Sequence, residues 1–392
     1  MNSNGSNERA TVHASIIRGS YDIPCGTGRG GTRPSQVHLR RLIAGTGGLG
    51  ATRAEGFCRS LIRQWPSTAK RSVLCLALLC CLIGADAVLA FDQPQVYTLK
   101  AKDHVVIFGD STTAEGIRPT GYVELLKQAI GEQIPDQGVK VSAICRNTRA
   151  TSSLMGPTGW VQKDCKSLLN SDQPPTLAII VLGLNDSKGG PKGVEPYVAN
   201  LRESVGLLRD MKQTVVLVTP STWGGLTQTK PYAEACRTLA TEMKCLLIDL
   251  YAVHADHIVA NTKDGKFLPG TKPTWDDVHL SVVGNTLSAS AILRAIGLKP
   301  VWQKYQLQVS ARPVGIAYQA GKASISVQPV QPFYAPGTKI TLTMQPEAGH
   351  AFNRWYTFEQ AEIKETTPAL TFTIDRHMWI IGEVKPIEEK QP

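Results

Sequence analysis

From residue 104 onward, short runs of almost wholly apolar residues rich in Val, Ile and Leu recur along the chain, separated by longer stretches of mixed character. A strand that reads as a continuous apolar run has both faces covered, which is the situation in a parallel sheet packed between two layers of helices. The runs are 104–109, 139–144, 177–182, 214–218 and 246–250. Between and after them, 121–134, 159–169, 196–211, 231–243 and 281–296 place apolar residues three and four apart, the spacing of one helix face, and Gly297 stands where the last helix should stop. Strand and helix in alternation predict one three-layer α/β domain with a five-stranded parallel sheet over residues 100–299. The character changes near Lys299-Pro300. Residues 301–392 show period-two alternation with turn residues and no long helical pattern, which predicts a separate, small β-rich module.

The formal charge of +10 invites a nucleic-acid reading, so its distribution matters. Residues 1–71 hold 11 Lys or Arg against 3 acids, leaving 31 basic and 29 acidic residues for the rest of the chain. The predicted folded part is nearly neutral and has no basic stripe interleaved with aromatics, so nucleic acid is not an expected partner. Residues 70–90 read KRSVLCLALLCCLIGADAVLA, a charged pair, an apolar run over 73–85, then Val88 and Ala90 at the minus-three and minus-one places of a cleavage site. This is the outline of a signal peptide, and the run is shorter than the roughly 20 residues that span a bilayer. Residues 1–69, rich in Gly, Arg, Ser and Thr, are expected to be a disordered leader or to precede the true start. The expected location is secreted, periplasmic or at the cell surface.

Four cysteines follow the predicted signal: Cys145, Cys165, Cys236 and Cys245. Two readings stand, disulfides 145–165 and 236–245 in an oxidising compartment, or four buried free thiols. No metal-ligand cluster is evident. His254, Asp256 and His257 are read as part of a surface helix rather than a metal site. The string Gly45-Thr46-Gly47-Gly48-Leu49-Gly50 fits a dinucleotide fingerprint but lacks the strand and βαβ context that would give it meaning, and no cofactor is expected.

Three stretches carry chemistry. VVIFGDSTTAEG runs a buried strand into Gly109-Asp110-Ser111 and then a loop, and the carboxyl ends of parallel strands are where such sheets bind ligands. At the end of the third strand stands Gly183-Leu184-Asn185-Asp186, whose Asn185 amide can donate to a developing oxyanion. Before the last helix comes Trp275-Asp276-Asp277-Val278-His279-Leu280-Ser281. A serine hydroxyl is a weak nucleophile until a base takes its proton, and His279 is the candidate base. An acid that fixes the histidine tautomer completes the set; Asp276 is one choice, Asp277 the other.

In this order the blocks resemble those of the GDSL/SGNH hydrolases, over residues 103–297. The resemblance implies a flavodoxin-like three-layer sandwich, a Ser-His-Asp triad of Ser111, His279 and Asp276, no metal and no cofactor. It also implies an oxyanion hole from the Ser111 N–H, the Asn185 side chain and a backbone N–H after the second strand. There the sequence departs from the family pattern: Cys145-Arg146-Asn147-Thr148-Arg149-Ala150 places Ala150 where a glycine is usual, and a Cβ narrows the backbone conformations open to that donor. Arg146 and Arg149 beside it suit an acidic substrate or are simply solvated.

The C-terminal stretch Gly337-Thr338, 340–344, Gly349 to Trp355 and 370–374 loosely resembles the repeat module of internalin-type bacterial surface proteins, which implies a spacer or a glycan or cell-surface contact. Phe352 and Trp355 are read as core rather than as a sugar platform. The function expected is a serine esterase removing a small acyl group, acetate first, from a carbohydrate or related substrate. The alternatives are a lysophospholipase- or thioesterase-like lipid hydrolase, for which the loop Trp223-Gly224-Gly225-Leu226 is too short a clue, and a non-catalytic glycan-binding surface protein.

Overall fold

The computed structural model describes residues 96–156, 158–222, 227–315 and 321–387. The predicted leader, the signal segment, the fingerprint string at 45–50 and the loop 223–226 lie outside the described residues.

The first half of the described chain is a parallel sheet with helices on both faces. In chain order its elements are β1 (His104–Gly109), α1 (Ser111–Gly116), α2 (Tyr122–Gln133), β2 (Lys140–Cys145), a π turn Val161–Cys165 running into α3 (Lys166–Leu168), and β3 (Leu177–Val181). Then follow α4 (Val194–Asp210), β4 (Thr214–Val218), α5 (Lys230–Glu242), β5 (Leu246–Ile248), α6 (Leu250–Ala260), a hairpin of β6 (Thr262–Lys263) and β7 (Lys266–Phe267), and α7 (Val282–Ala295). All four pairings in the five-stranded sheet are parallel, in the order β2-β1-β3-β4-β5. This is the flavodoxin-like order, which puts its topological switch point between β1 and β3.

The period of two in a strand divides each one between two cores. Val105 and Ile107 of β1, Leu177 and Ile179 of β3, and Val216 and Val218 of β4 pack with Leu125, Leu126 and Ala129 of α2 and Ala289, Ile292 and Leu293 of α7. Their neighbours Val106, Phe108, Ala178, Ile180, Val215 and Leu217 point the other way, against Tyr197, Leu201 and Val205 of α4 and Tyr232, Cys236 and Leu239 of α5.

Residues 246–250, predicted as one strand, end as strand at Ile248. Asp249 caps α6, its carboxylate accepting from the Ala252 N–H. The predicted surface helix carrying His254 is therefore real, but His254 is fully buried, not at the surface, and burial holds its imidazole down at about 4. Where a loop was predicted after Gly109, α1 begins at once. The structure has neither of the disulfides Cys145–Cys165 and Cys236–Cys245: all four thiols are free, three of them buried as in the other reading and Cys145 half-buried. Cys165, Cys236 and Cys245 serve as small apolar groups in the α4–α5 core, where Gln213 Nε2 donates to Cys165 Sγ at 3.1 Å.

The second half is all β. Strands β8 (Leu307–Pro313), β9 (Ala323–Gln328), β10 (Lys339–Pro346), β11 (His350–Thr357), β12 (Glu362–Ile363), β13 (Ala369–Thr373) and β14 (Met378–Pro386) form two sheets, β13-β10-β9 and β12-β11-β14-β8. Ile340, Leu342 and Met344 of β10 and Leu370 of β13 meet Trp355 of β11 and Ile380 and Val384 of β14 in one core. Trp355 is fully buried and its indole N–H donates to the Thr367 carbonyl at 3.0 Å, while Phe352 packs at the edge.

Gly109 ends β1 because nothing larger fits. A Cβ there would lie 1.7 Å from Thr113 Oγ1, itself bonded to the buried Tyr122 hydroxyl at 2.7 Å. Gly109→Ala is expected to lose about 1–3 kcal/mol by overpacking, with a melting temperature lower by about 2–4 °C per kcal/mol. A thermal melt no lower than that of the wild type would contradict this.

Candidate functional site

The carboxyl ends of β1 and β3 and the loop before α7 converge. Asp110 terminates β1 and caps α1: its Oδ1 accepts from the Thr112 N–H and hydroxyl, both at 2.9 Å. Ser111 is thereby the first residue of α1, at a helix end whose leading N–H groups have no partner within the helix.

The loop before α7 supplies a histidine. Asp276 folds back on its own chain, Oδ1 accepting the N–H of Val278 at 3.0 Å and of His279 at 2.7 Å, an Asx-type turn. Its Oδ2 lies 2.7 Å from His279 Nδ1, and His279 Nε2 lies 3.0 Å from Ser111 Oγ. With Nδ1 bearing the proton that the carboxylate accepts, Nε2 is left as the acceptor for the serine hydroxyl. Asp277, the other acid considered, turns away with φ at 70° and pairs with Lys272 at 2.8 Å. Such a chain of carboxylate, imidazole and hydroxyl lets a hydroxyl lose its proton as it attacks a carbonyl carbon.

Burial alone would depress the His279 imidazolium. The hydrogen bond to Asp276 and the charges of Glu115, Asp276 and Asp110 outweigh it, so its pKa stands above the ordinary 6.5. Burial would raise the Asp276 carboxyl, but the bonds from the His279 ring and from the His279 and Val278 N–H groups bring it down to about 2. Burial raises Asp110 and Glu115.

The depressed Asp276 contributes stability above its unfolded pKa that is lost as pH falls through about 2. The raised His279 contributes stability below 6.5 that is lost as pH rises through its folded pKa.

Asn185 sits after β3 beside Ser111's neighbour: its Nδ2 donates to Asp110 Oδ2 at 3.2 Å and to the Arg149 carbonyl at 3.0 Å, while Lys188 Nζ donates to its Oδ1. Both amide hydrogens are thus engaged. Ala150 has φ −107° and ψ 176°, extended backbone that any residue adopts, so alanine in place of glycine imposes no strain. Arg146 and Arg149 are exposed.

No local sequence motif marks several further residues of the site. Asp186 accepts from the Thr151 N–H and hydroxyl, tying the stretch after Ala150 to the end of β3. Glu115, one turn after Ser111 on α1, became legible only with that helix. Trp275 stacks on the His279 ring at 5.9 Å, and it also meets Phe358 from the C-terminal module at 5.5 Å. The neighbouring Glu359 accepts from the Val282 N–H at 2.9 Å.

Known proteins resemble this half of the chain. The sequence model of the GDSL-like Lipase/Acylhydrolase family matches residues 107–287. An acetylxylan esterase of Geobacillus stearothermophilus is 25% identical over 226 residues, covering 50% of this chain and 95% of that protein. Among solved structures, the acetylxylan esterase Axe2 of Geobacillus stearothermophilus is similar with 23% identity and a TM-score of 0.43, over 53% of this chain and 98% of the other. The acetyl xylan esterase AlAXEase is similar with 22% identity and a TM-score of 0.43, over 49% and 99%. Residues 107–287 of the α/β domain thus match the GDSL-like lipase/acylhydrolase family, and the chain is a carboxylic ester hydrolase.

Proposed function

We propose that the protein removes a small acyl group, acetate first, from an esterified carbohydrate, with Ser111 as nucleophile, His279 as base and Asp276 as its orienting acid. The observation that carries this reading is the unbroken contact from Asp276 through His279 to Ser111, 2.7 Å and 3.0 Å in turn. The acyl group and the carbohydrate are supported by the acetylxylan esterase relative.

Ser111 Oγ attacks the ester carbonyl carbon as its proton passes to His279 Nε2, and Asp276 stabilises the imidazolium. The negative oxygen that forms is met by the Ser111 and Ala150 N–H groups and the Asn185 amide. His279 returns the proton to the departing sugar hydroxyl, leaving an acyl-enzyme. Water, deprotonated by the same imidazole, then releases the acid. Export through the segment at 70–90 accompanies this reading, and sequencing the N-terminus of the secreted protein tests it.

Acetate release from acetylated xylo-oligosaccharides, set beside hydrolysis of p-nitrophenyl acetate and p-nitrophenyl palmitate, tests the substrate class. Release from the saccharide with little turnover of the palmitate is expected. A marked preference for the long chain would replace the proposal with a lipid hydrolase.

The base must be neutral to act. Because the His279 pKa is raised, kcat/KM for p-nitrophenyl acetate is expected to climb with pH through a midpoint above 6.5. A midpoint below that value would contradict the carboxylate-rich setting of the ring.

A further inference from the structure

The loop that carries Asp276 and His279 is held from two sides. From within, Thr274 bridges Leu280, the Trp275 N–H donates to the His279 carbonyl at 3.0 Å, and the Ser281 N–H donates to the Pro273 carbonyl at 2.9 Å. These bonds pinch the loop into a fixed shape. They do not by themselves set where the loop sits against Ser111, which belongs to a different strand end. That placement needs contacts from outside the loop.

The C-terminal module supplies two of them, beside the packing of Leu280 into the α/β core and the bond from the Tyr122 N–H to Asn285 of α7. The Trp275 indole lies between the His279 ring, nearly parallel to it at 23°, and the ring of Phe358. Phe358 is 5% exposed and is backed in turn by Trp379, stacked at 3.8 Å, with the Arg312 guanidinium over both rings at 5.3 Å. The next residue, Glu359, takes the N–H of Val282, the first residue of α7 and three positions after His279. A carboxylate at this place satisfies one of the leading N–H groups of the helix.

The module is itself tied to α2 and to the turn that precedes it. Trp302 Nε1 donates to the Leu125 carbonyl at 2.9 Å, Gln306 Nε2 donates to Gln128 at 2.9 Å, and the Thr120 N–H donates to Gln306 Oε1. The chain of support therefore runs from α2, through the module, to the far side of the His279 loop.

We propose that Phe358 and Glu359 are positioning residues that hold His279 against Ser111, which makes the C-terminal β-module a working part of the catalytic centre and not a separable accessory. This rests on the esterase reading of the site. It departs from the spacer or surface-contact role that the module's sequence implies. Displacing a catalytic group by about 1 Å lowers a rate by roughly 10²-fold, so contacts that touch neither substrate nor Ser111 can still govern turnover.

The test uses the full chain and p-nitrophenyl acetate, with each variant assayed well below its own melting temperature. Phe358→Ala and Glu359→Ala are expected to lower kcat by about 10- to 100-fold while KM stays within about twofold. Glu359→Gln, which keeps an oxygen acceptor for the Val282 N–H, is expected to recover most of the loss. Leu342→Ala, in the module's own core, serves as the control: it is expected to lower the melting temperature and leave kcat unchanged. The proposal is overturned if Phe358→Ala and Glu359→Ala both turn over within about twofold of the wild type, or if Leu342→Ala loses as much kcat as they do. Either result leaves the esterase reading standing. A wild-type protein that hydrolyses no ester removes that reading and this inference together.

Discussion

Replacing Ser111 by Ala is expected to lower kcat for p-nitrophenyl acetate by a factor on the order of 10⁶, the size of effect seen when a triad nucleophile is removed from a serine hydrolase. In the proposed mechanism the hydroxyl forms the acyl bond, and it lies 3.0 Å from His279 Nε2. Without it, water must attack directly, helped only by whatever oxyanion donors remain. The fold should not notice the change. The structural duties at this turn fall to its neighbours: Asp110 caps α1, Gly109 leaves room for Thr113, and Thr113 bonds Tyr122. An unaltered melting temperature with activity gone is therefore the expected pair of results. Equal rates for Ser111→Ala and the wild type would sink the nucleophile assignment, and with it the roles given to His279 and Asp276.

The sheet and the three site blocks were legible because each rests on a local pattern. Strand β1 reads HVVIFG, with all six residues buried, and a run covered on both faces needs no partner to be recognised. The buried face of helix α6 is not legible for the opposite reason. Apolar residues surround it, with Leu250, Tyr251 and His254 buried while Val259 is 70% exposed, so no stripe marks a face and His254 was read as a surface residue. The choice between Asp276 and Asp277 lay beyond spacing, since it turns on one backbone angle: φ of 70° at Asp277 sends that carboxylate toward Lys272 and leaves Asp276 under the imidazole.

The cysteines show a similar limit. Nothing in their spacing distinguishes a disulfide from a buried thiol, whereas the packing of Cys165, Cys236 and Cys245 among core side chains does. Least legible was the reach of the C-terminal module into the site. Glu359 meets Val282 across 77 positions of sequence, and no local pattern encodes a contact of that span.

Asp276→Asn is expected to lower kcat by about 10⁴-fold, the effect of the corresponding change in a serine protease triad. Asp276 has two tasks, one on each oxygen. Oδ1 holds the turn by accepting the Val278 and His279 N–H groups, and Oδ2 accepts from His279 Nδ1. Asparagine keeps one oxygen, which can preserve the turn, and puts an NH₂ group against the ring. Nδ1 must then accept instead of donate, which moves the imidazole proton to Nε2 and removes the acceptor that Ser111 needs. The same change takes away a negative charge that helps hold the His279 pKa above 6.5, so the residual activity should climb with pH through a lower midpoint than in the wild type. Asp277→Asn is the matched comparison. Its carboxylate is 71% exposed and paired only with Lys272 at the surface, so activity within about twofold of the wild type is expected. Were Asp277→Asn the variant that lost activity, and Asp276→Asn the one that kept it, the orienting acid would have to be reassigned and the loop before α7 redrawn in the active enzyme.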